Sequence, residues 1–253
     1  MSINQLRVAV IQMPVQMNPW LNAQYLENRL ATAVSEEAPC HLAVGVELGI
    51  CPGPPLPERN EMFGYLGDMA ARYQMYLLPG SMKVTSGPQG CFLDQFPIFG
   101  PNGALLGRCN NPRSWGNSSE GADVGRGEHL VFDIPEKGSR VGVMSCLEAD
   151  LRETARTLAS CGAEVIIQLS MDPPHLVEEY SAIRQGSAVE NRVYYICTNG
   201  VGQWGSLILA GGSRIFDPEG KMLYCAGKEA TTQTVGLDLE RMRSCRLKDN
   251  NVG

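Results

Sequence analysis

A thiol and several carboxylates stand where strands and helices meet in this chain. Cys146 follows the apolar run RVGVM and precedes LEADLRETARTLASCGAEVII, whose apolar spacing predicts a helix. A thiol at a strand-to-helix junction lies near helix N-terminal amides, which favour the nucleophilic thiolate. An isolated cysteine is more often an inert core thiol, but Cys146 has charged neighbours. Glu148, Glu153 and Arg156 stand two, seven and ten residues beyond it. Glu153 and Arg156 are three apart, so they share a helix face and can pair. A further carboxylate, Glu47, closes the apolar strand HLAVGV just before the Pro- and Gly-rich CPGPPLPERN. Such a group either caps loop amides or carries protons. A thiol with a carboxylate base is a pair suited to nucleophilic acyl transfer. The three histidines, His41, His129 and His175, fall outside these segments, so a Cys–Glu arrangement has more support than Cys–His.

Alternating strands and helices must position these groups. Strands are expected at Leu6–Gln12, His41–Val46 and Met75–Leu78, with helices near Leu21–Ser35 and Asn60–Gln74 between them. Phe92–Phe99 and Ala104–Arg108 flank Asn102-Gly103, a strong hairpin signal. Residues from Asn110 to Glu128 are polar and read as a long loop, of the kind that carries function. Strands at Leu130–Asp133 and Arg140–Met144, a helix over Leu151–Cys161, a strand at Glu164–Leu169 and a helix near Leu176–Asn191 follow. Val193–Thr198, Ser206–Phe216 and Lys221–Cys225 supply the last strands. Helical crossovers mixed with hairpins imply a layered α/β fold in one domain, residues 1–253.

Composition narrows the function classes. The formal charge of −6 argues against a nucleic-acid or anionic-membrane surface. No apolar run reaches the ~20 residues of a membrane helix, and no signal-peptide pattern opens the chain. The nine cysteines include no CxxC, so metal and thioredoxin-type readings lack support. Reduced thiols in a cytoplasm are the natural expectation.

Four blocks in order resemble the nitrilase, or carbon–nitrogen hydrolase, superfamily in its amidase-like branch. They are RVAVIQM, LAVGVELGICPGPP, VGVMSCLEADLRETARTLASCGAEVII, and SAVENRVYYICTNGVG followed by GGSRIFDPEG. The resemblance implies a four-layer α-β-β-α sandwich, with Cys146 as nucleophile, Glu47 as general base, and Glu153 and Arg156 as helix supports. It implies a small amide, nitrile or ureido substrate, no cofactor or metal, and a homodimer or larger assembly. The family's lysine normally lies in a segment like GRYRK. Here LLGRCNNPRSWGNSSEG occupies that stretch, and aligning Gly107-Arg108 puts Asn111 at the lysine position. Trp115 and Glu120 resemble the family's following aromatic and second glutamate; Trp115 and Glu148 are expected to line the substrate site. Arg108 and Arg113 are the only local cations in that stretch. The reading is therefore a thiol amidase with an altered electrostatic trio. A weakened homologue that binds a small molecule or partner, and an acyltransferase using the same thioester, are the alternatives.

Overall fold

The computed structural model describes residues 4–34, 39–86, 92–111, 130–145 and 152–250. Strand β1 (Gln5–Gln12) leads through helix α1 (Pro19–Ala33) to β2 (Leu42–Leu56), and α2 (Glu61–Tyr73) leads to β3 (Tyr76–Thr85). These three strands are parallel, as helical crossovers require. The hairpin β4 (Phe92–Phe99) and β5 (Leu105–Asn110) extends the sheet antiparallel. A second sheet repeats the plan. Its parallel centre is β7 (Ser139–Ser145), β8 (Val165–Ser170) and β9 (Tyr194–Asn199), crossed by α3 (Arg152–Ser160) and α4 (Val177–Asn191). Its outer strands are β6 (Leu130–Ile134), β12 (Arg214–Phe216) and β13 (Met222–Cys225).

Three apolar layers define the four-layer sandwich. Leu26, Leu30, Leu66 and Met69 from α1 and α2 pack on the outer face of the first sheet, with Ile11 and Leu77. Ala155, Leu158 and Ala188 from α3 and α4 cover the second sheet. Between the sheets lie Val8, Val44, Leu78, Ile98, Val143, Ile167 and Ile196. Asn18 and Asn60 start α1 and α2 by accepting the Trp20 and Met62 N–H groups, as N-caps do.

The fold differs from the elements expected from the sequence in four places. The Pro- and Gly-rich stretch is not all loop: β2 continues to Leu56, pairing Cys51 with Met82 and Leu56 with Val84 after two register shifts. The expected strand Ser206–Phe216 is two strands in different sheets. Gly211 and Gly212, at φ 65 and 72, turn the chain between β11 (Leu207–Ala210) and β12. β11 instead forms a hairpin with β10 (Val201–Trp204). The chain also ends with β14 (Thr231–Asp238), antiparallel to β1, and α5 (Leu239–Asn250); their weak apolar patterning gave no signal. Asn110 closes β5 instead of opening a loop, and residues 112–129 lie outside the described ones.

One close approach sets the face of every residue beyond it. A Cβ on Gly45 would sit 2.0 Å from the Pro79 carbonyl oxygen, and one on Gly80 (φ +119) 2.3 Å from that of Val46. Before this point Val44 and Leu78 face the other sheet; beyond it Val46 and Met82 face the helices. The alternation has slipped by one, which carries Glu47, Ser81 and Lys83 to the inter-sheet side. Gly45→Ala should therefore lower stability by more than about 2 kcal/mol. Gly64→Ala, in helix α2 with open space around its Cβ, should raise it by roughly 0.5–1 kcal/mol. Urea denaturation of the two variants checks both signs.

Candidate active site

The apolar layer between the sheets turns polar at one end. Glu47 is buried there, and the next residue, Leu48, holds a left-handed φ of 49 that a leucine adopts only at a cost. The Leu48 N–H donates to Ser81 Oγ at 2.7 Å, so Ser81 on β3 fixes the kink just past Glu47. On β5 the side chain of Cys109 faces the other sheet, and Asn111, two residues on, points the same way. The Asn111 N–H donates to the Asp94 carbonyl at 2.7 Å, which ties the end of β5 to β4.

Side chains from three strands meet here. Asn111 Nδ2 donates to Glu47 Oε1 at 3.3 Å and to Asp94 Oδ2 at 3.2 Å. An asparagine amide has two N–H groups, so one neutral group serves two carboxyls. Asp94 lies directly across from Lys83 in the β3–β4 ladder. The Lys83 ammonium turns toward the rings of Phe92, 5.1 Å away, and Trp204, 5.8 Å away. Asp94 has no ion pair among the described residues. Burial pushes its carboxyl from the ordinary 3.8 up to about 6, against the opposing pull of Ser81, Asn111 and the Lys83 charge.

From the facing sheet, Thr198 on β9 donates from Oγ1 to the Gly45 carbonyl at 2.6 Å, clamping the two sheets beside the glycine contact. Ser145, the last residue of β7, is fully buried. The ends of β8 and β9 are held by a buried network: Arg184 donates to Asp172 Oδ2 at 2.6 Å, Ser170 Oγ at 3.0 Å and Gln168 Oε1 at 2.8 Å. Asn199 Oδ1 accepts the Asp172 N–H at 2.8 Å. Such a network fixes the strand ends with every polar group paired.

The expected site residues divide accordingly. Glu47 and Asn111 are brought together. Cys146, Glu148, Trp115, Glu120 and Arg113 lie outside the described residues. Glu153 and Arg156 are on α3 but solvent-exposed, and no ion pair joins them, because Thr154, Ala155 and Leu158 take the buried face. Arg108 is exposed on the opposite face of β5 from Cys109. Among the described residues, the cation on the Glu47 face is Lys83, which lies outside the stretch LLGRCNNPRSWGNSSEG. Asp94, Ser81 and Lys83 were missed. A lone carboxylate inside the apolar FLDQFPIF was the available signal for Asp94. Among the described residues no cluster of His, Cys, Asp or Glu could hold a metal ion, and no helix is long and apolar enough to cross a membrane.

The Asp94 carboxyl carries a pH dependence of known sign. Its folded pKa is raised, so the folded state binds the proton more tightly and the ionised group opposes folding. That penalty is absent below about pH 4, grows through pH 6 and then levels, reaching on the order of 3 kcal/mol. Asp94→Asn should thus gain stability relative to wild type as pH rises from 4 to 7. Parallel urea-denaturation midpoints for the two proteins across that range would contradict it.

A sequence model of the family described as carbon-nitrogen hydrolase matches residues 7–247. The chain is similar to an (R)-stereoselective amidase of Pseudomonas sp, 33% identical over 172 residues, covering 65% of this chain and 61% of that protein. It thus spans less than two thirds of that amidase's length. It is also similar to a nitrilase of Pyrococcus abyssi (strain GE5 / Orsay), 30% identical over 200 residues, covering 78% of this chain and 71% of that one. Its fold matches that of Saccharomyces cerevisiae Nit3, a member of branch 10 of the nitrilase superfamily, with a TM-score of 0.87 at 21% identity. That match covers 98% of this chain and 96% of the yeast one. On the extent of the family match, together with the paired sheets and their four layers, this chain belongs to the carbon–nitrogen hydrolase family.

Proposed function

We propose that the chain hydrolyses a carbon–nitrogen bond of a small amide or nitrile through a thioester on Cys146. The observation that carries this reading is the setting of Glu47: a buried carboxylate at the inter-sheet seam, oriented by an amide. Cys146 follows directly on Ser145, whose strand ends buried in the facing sheet. The Pseudomonas amidase and the Pyrococcus nitrilase, by their names, act on such bonds and support the substrate class.

In this mechanism Glu47 takes the Cys146 proton as sulfur attacks the substrate carbon. With an amide, it then returns that proton to the departing nitrogen, leaving an acyl thioester; with a nitrile, the proton goes to the nitrogen of a thioimidate, and addition of one water precedes loss of ammonia to the same thioester. A water, deprotonated by Glu47, cleaves the thioester and releases the acid. Asn111 stands where the family resemblance calls for lysine, with Glu120 as the second glutamate, and Trp115 and Glu148 contact the substrate. The same reading takes residues 1–253 as one domain in a cytoplasmic homodimer or larger assembly.

A second reading, a weakened homologue that binds a small molecule, draws on one observation. Both N–H groups of Asn111 Nδ2 reach carboxylates, so neither is directed at a substrate oxyanion. Ammonia release over a panel of amides and nitriles separates the two. The proposed function predicts turnover by wild type, none by Cys146→Ala, and a loss of about 10²–10⁴-fold in Glu47→Gln. Asn111→Lys would stand between two carboxylates and should speed simple amides by up to about 10²-fold, since charged donors stabilise oxyanions most. No ammonia from either wild type or Asn111→Lys would leave the binding reading.

A further inference from the structure

Asp94 is a buried carboxyl that the mechanism above does not use. It sits on β4 facing the seam, beside Ser81 and across from Lys83, and the Lys83 ammonium turns away toward Phe92 and Trp204. A neutral side chain of the same shape would fill this space at far lower desolvation cost. Packing alone gives no reason for a charge here.

Its contacts do. The same Asn111 nitrogen reaches Asp94 Oδ2 and Glu47 Oε1, at 3.2 and 3.3 Å. An asparagine amide can turn over and present oxygen where nitrogen stood, with little change of shape. A carboxylate on the far side settles which end faces Glu47, because an amide oxygen aimed at two carboxylates would be repelled by both. We propose that Asp94 is a positioning residue: its carboxylate holds the Asn111 amide with nitrogen toward Glu47, and so fixes the side chain that serves as base. This deepens the proposed function and rests on Glu47 being that base.

The arrangement depends on the charge of Asp94. Once protonated, the Asp94 carboxyl presents a donor and can donate to an amide oxygen, so the amide is no longer held in one sense. Among the described residues, the Lys83 charge on the paired strand β3 acts on Asp94 from across the ladder, and Glu47 of β2 shares the Asn111 nitrogen with it. With burial raising the carboxyl to about 6, the change falls in a reachable pH range. At that pH Glu47 loses the donor that fixed it, and the base is weakened in position.

Two measurements test this, one of which needs no turnover. The Asn111 side-chain NH₂ signals, identified by their absence in Asn111→Ala, are followed by nitrogen-15 NMR from pH 4.5 to 8. They should shift with a midpoint near the Asp94 value in wild type, and that transition should vanish in Asp94→Asn. Signals that ignore pH in wild type, or titrate equally in Asp94→Asn, overturn the proposal. The second measurement is the pH profile of amide turnover. Asp94→Asn should lower kcat by at least about tenfold with KM nearly unchanged, and should remove the acid limb near pH 6. A folded Asp94→Asn with wild-type kcat and the same acid limb also overturns it. If no amide is turned over by either protein, the proposed function fails by itself and the NMR result alone decides the role of Asp94.

Discussion

Two carboxyl groups, Glu47 and Asp94, are buried at the end of an apolar seam with one neutral amide between them. Burying two like charges together is unfavourable unless each is hydrogen-bonded, and the Asn111 nitrogen is the group they share. Much of the surrounding structure serves to make that meeting possible. Glu47 comes from β2 and Asn111 from the end of β5, with β3 and β4 between them in the sheet. They meet only because the chain slips its alternation at Gly45 and Gly80, and because Leu48 accepts a strained φ that Ser81 holds. From the other side, Thr198 pins the Gly45 carbonyl, and Arg184 fixes the ends of β8 and β9.

Chemistry at this seam differs from what a cation between the carboxylates would give. An ammonium between Glu47 and Asp94 would hold both ionised and leave positive character for an oxyanion. The Asn111 amide orders the carboxylates without adding charge, and burial still raises Asp94 against the hydrogen bonds of Ser81 and Asn111 and the charge of Lys83. Among the described residues on this face, the Lys83 ammonium is engaged by two aromatic rings. A site built this way trades electrostatic strength for positioning. On the proposed reading, its rate depends more on where Glu47 points than on a fixed positive field.

Much of the fold was legible in the sequence, because local patterns carried it. The parallel strands and their crossover helices followed from apolar runs separated by helix-length segments, and Asn102-Gly103 marked its hairpin. The four blocks led to the family and the layered architecture together. What could not be read was non-local. Nothing in FLDQFPIF says that Asp94 will face Asn111, since the register between β4 and β5 decides it. The slip at Gly45 and Gly80 reverses the faces of β2 and β3, so simple alternation carried past it would put Ser81 and Lys83 on the wrong side. β14 was missed because its TTQTVGLD run is mostly polar and becomes a strand by pairing with the buried β1. The Glu153–Arg156 pair failed for the opposite reason: helix spacing permits a contact, but two exposed side chains gain little by making it.

On the proposed function, acyl transfer passes through Cys146 with Glu47 as base. The direct measurement is peptide mapping by mass spectrometry after Glu47→Gln is mixed with an amide that wild type hydrolyses. Without a base to activate water, any thioester that forms should persist, so the acyl mass should appear on the peptide containing Cys146 and nowhere else. An acyl group on another residue, or turnover by wild type that continues in Cys146→Ala, would contradict the account.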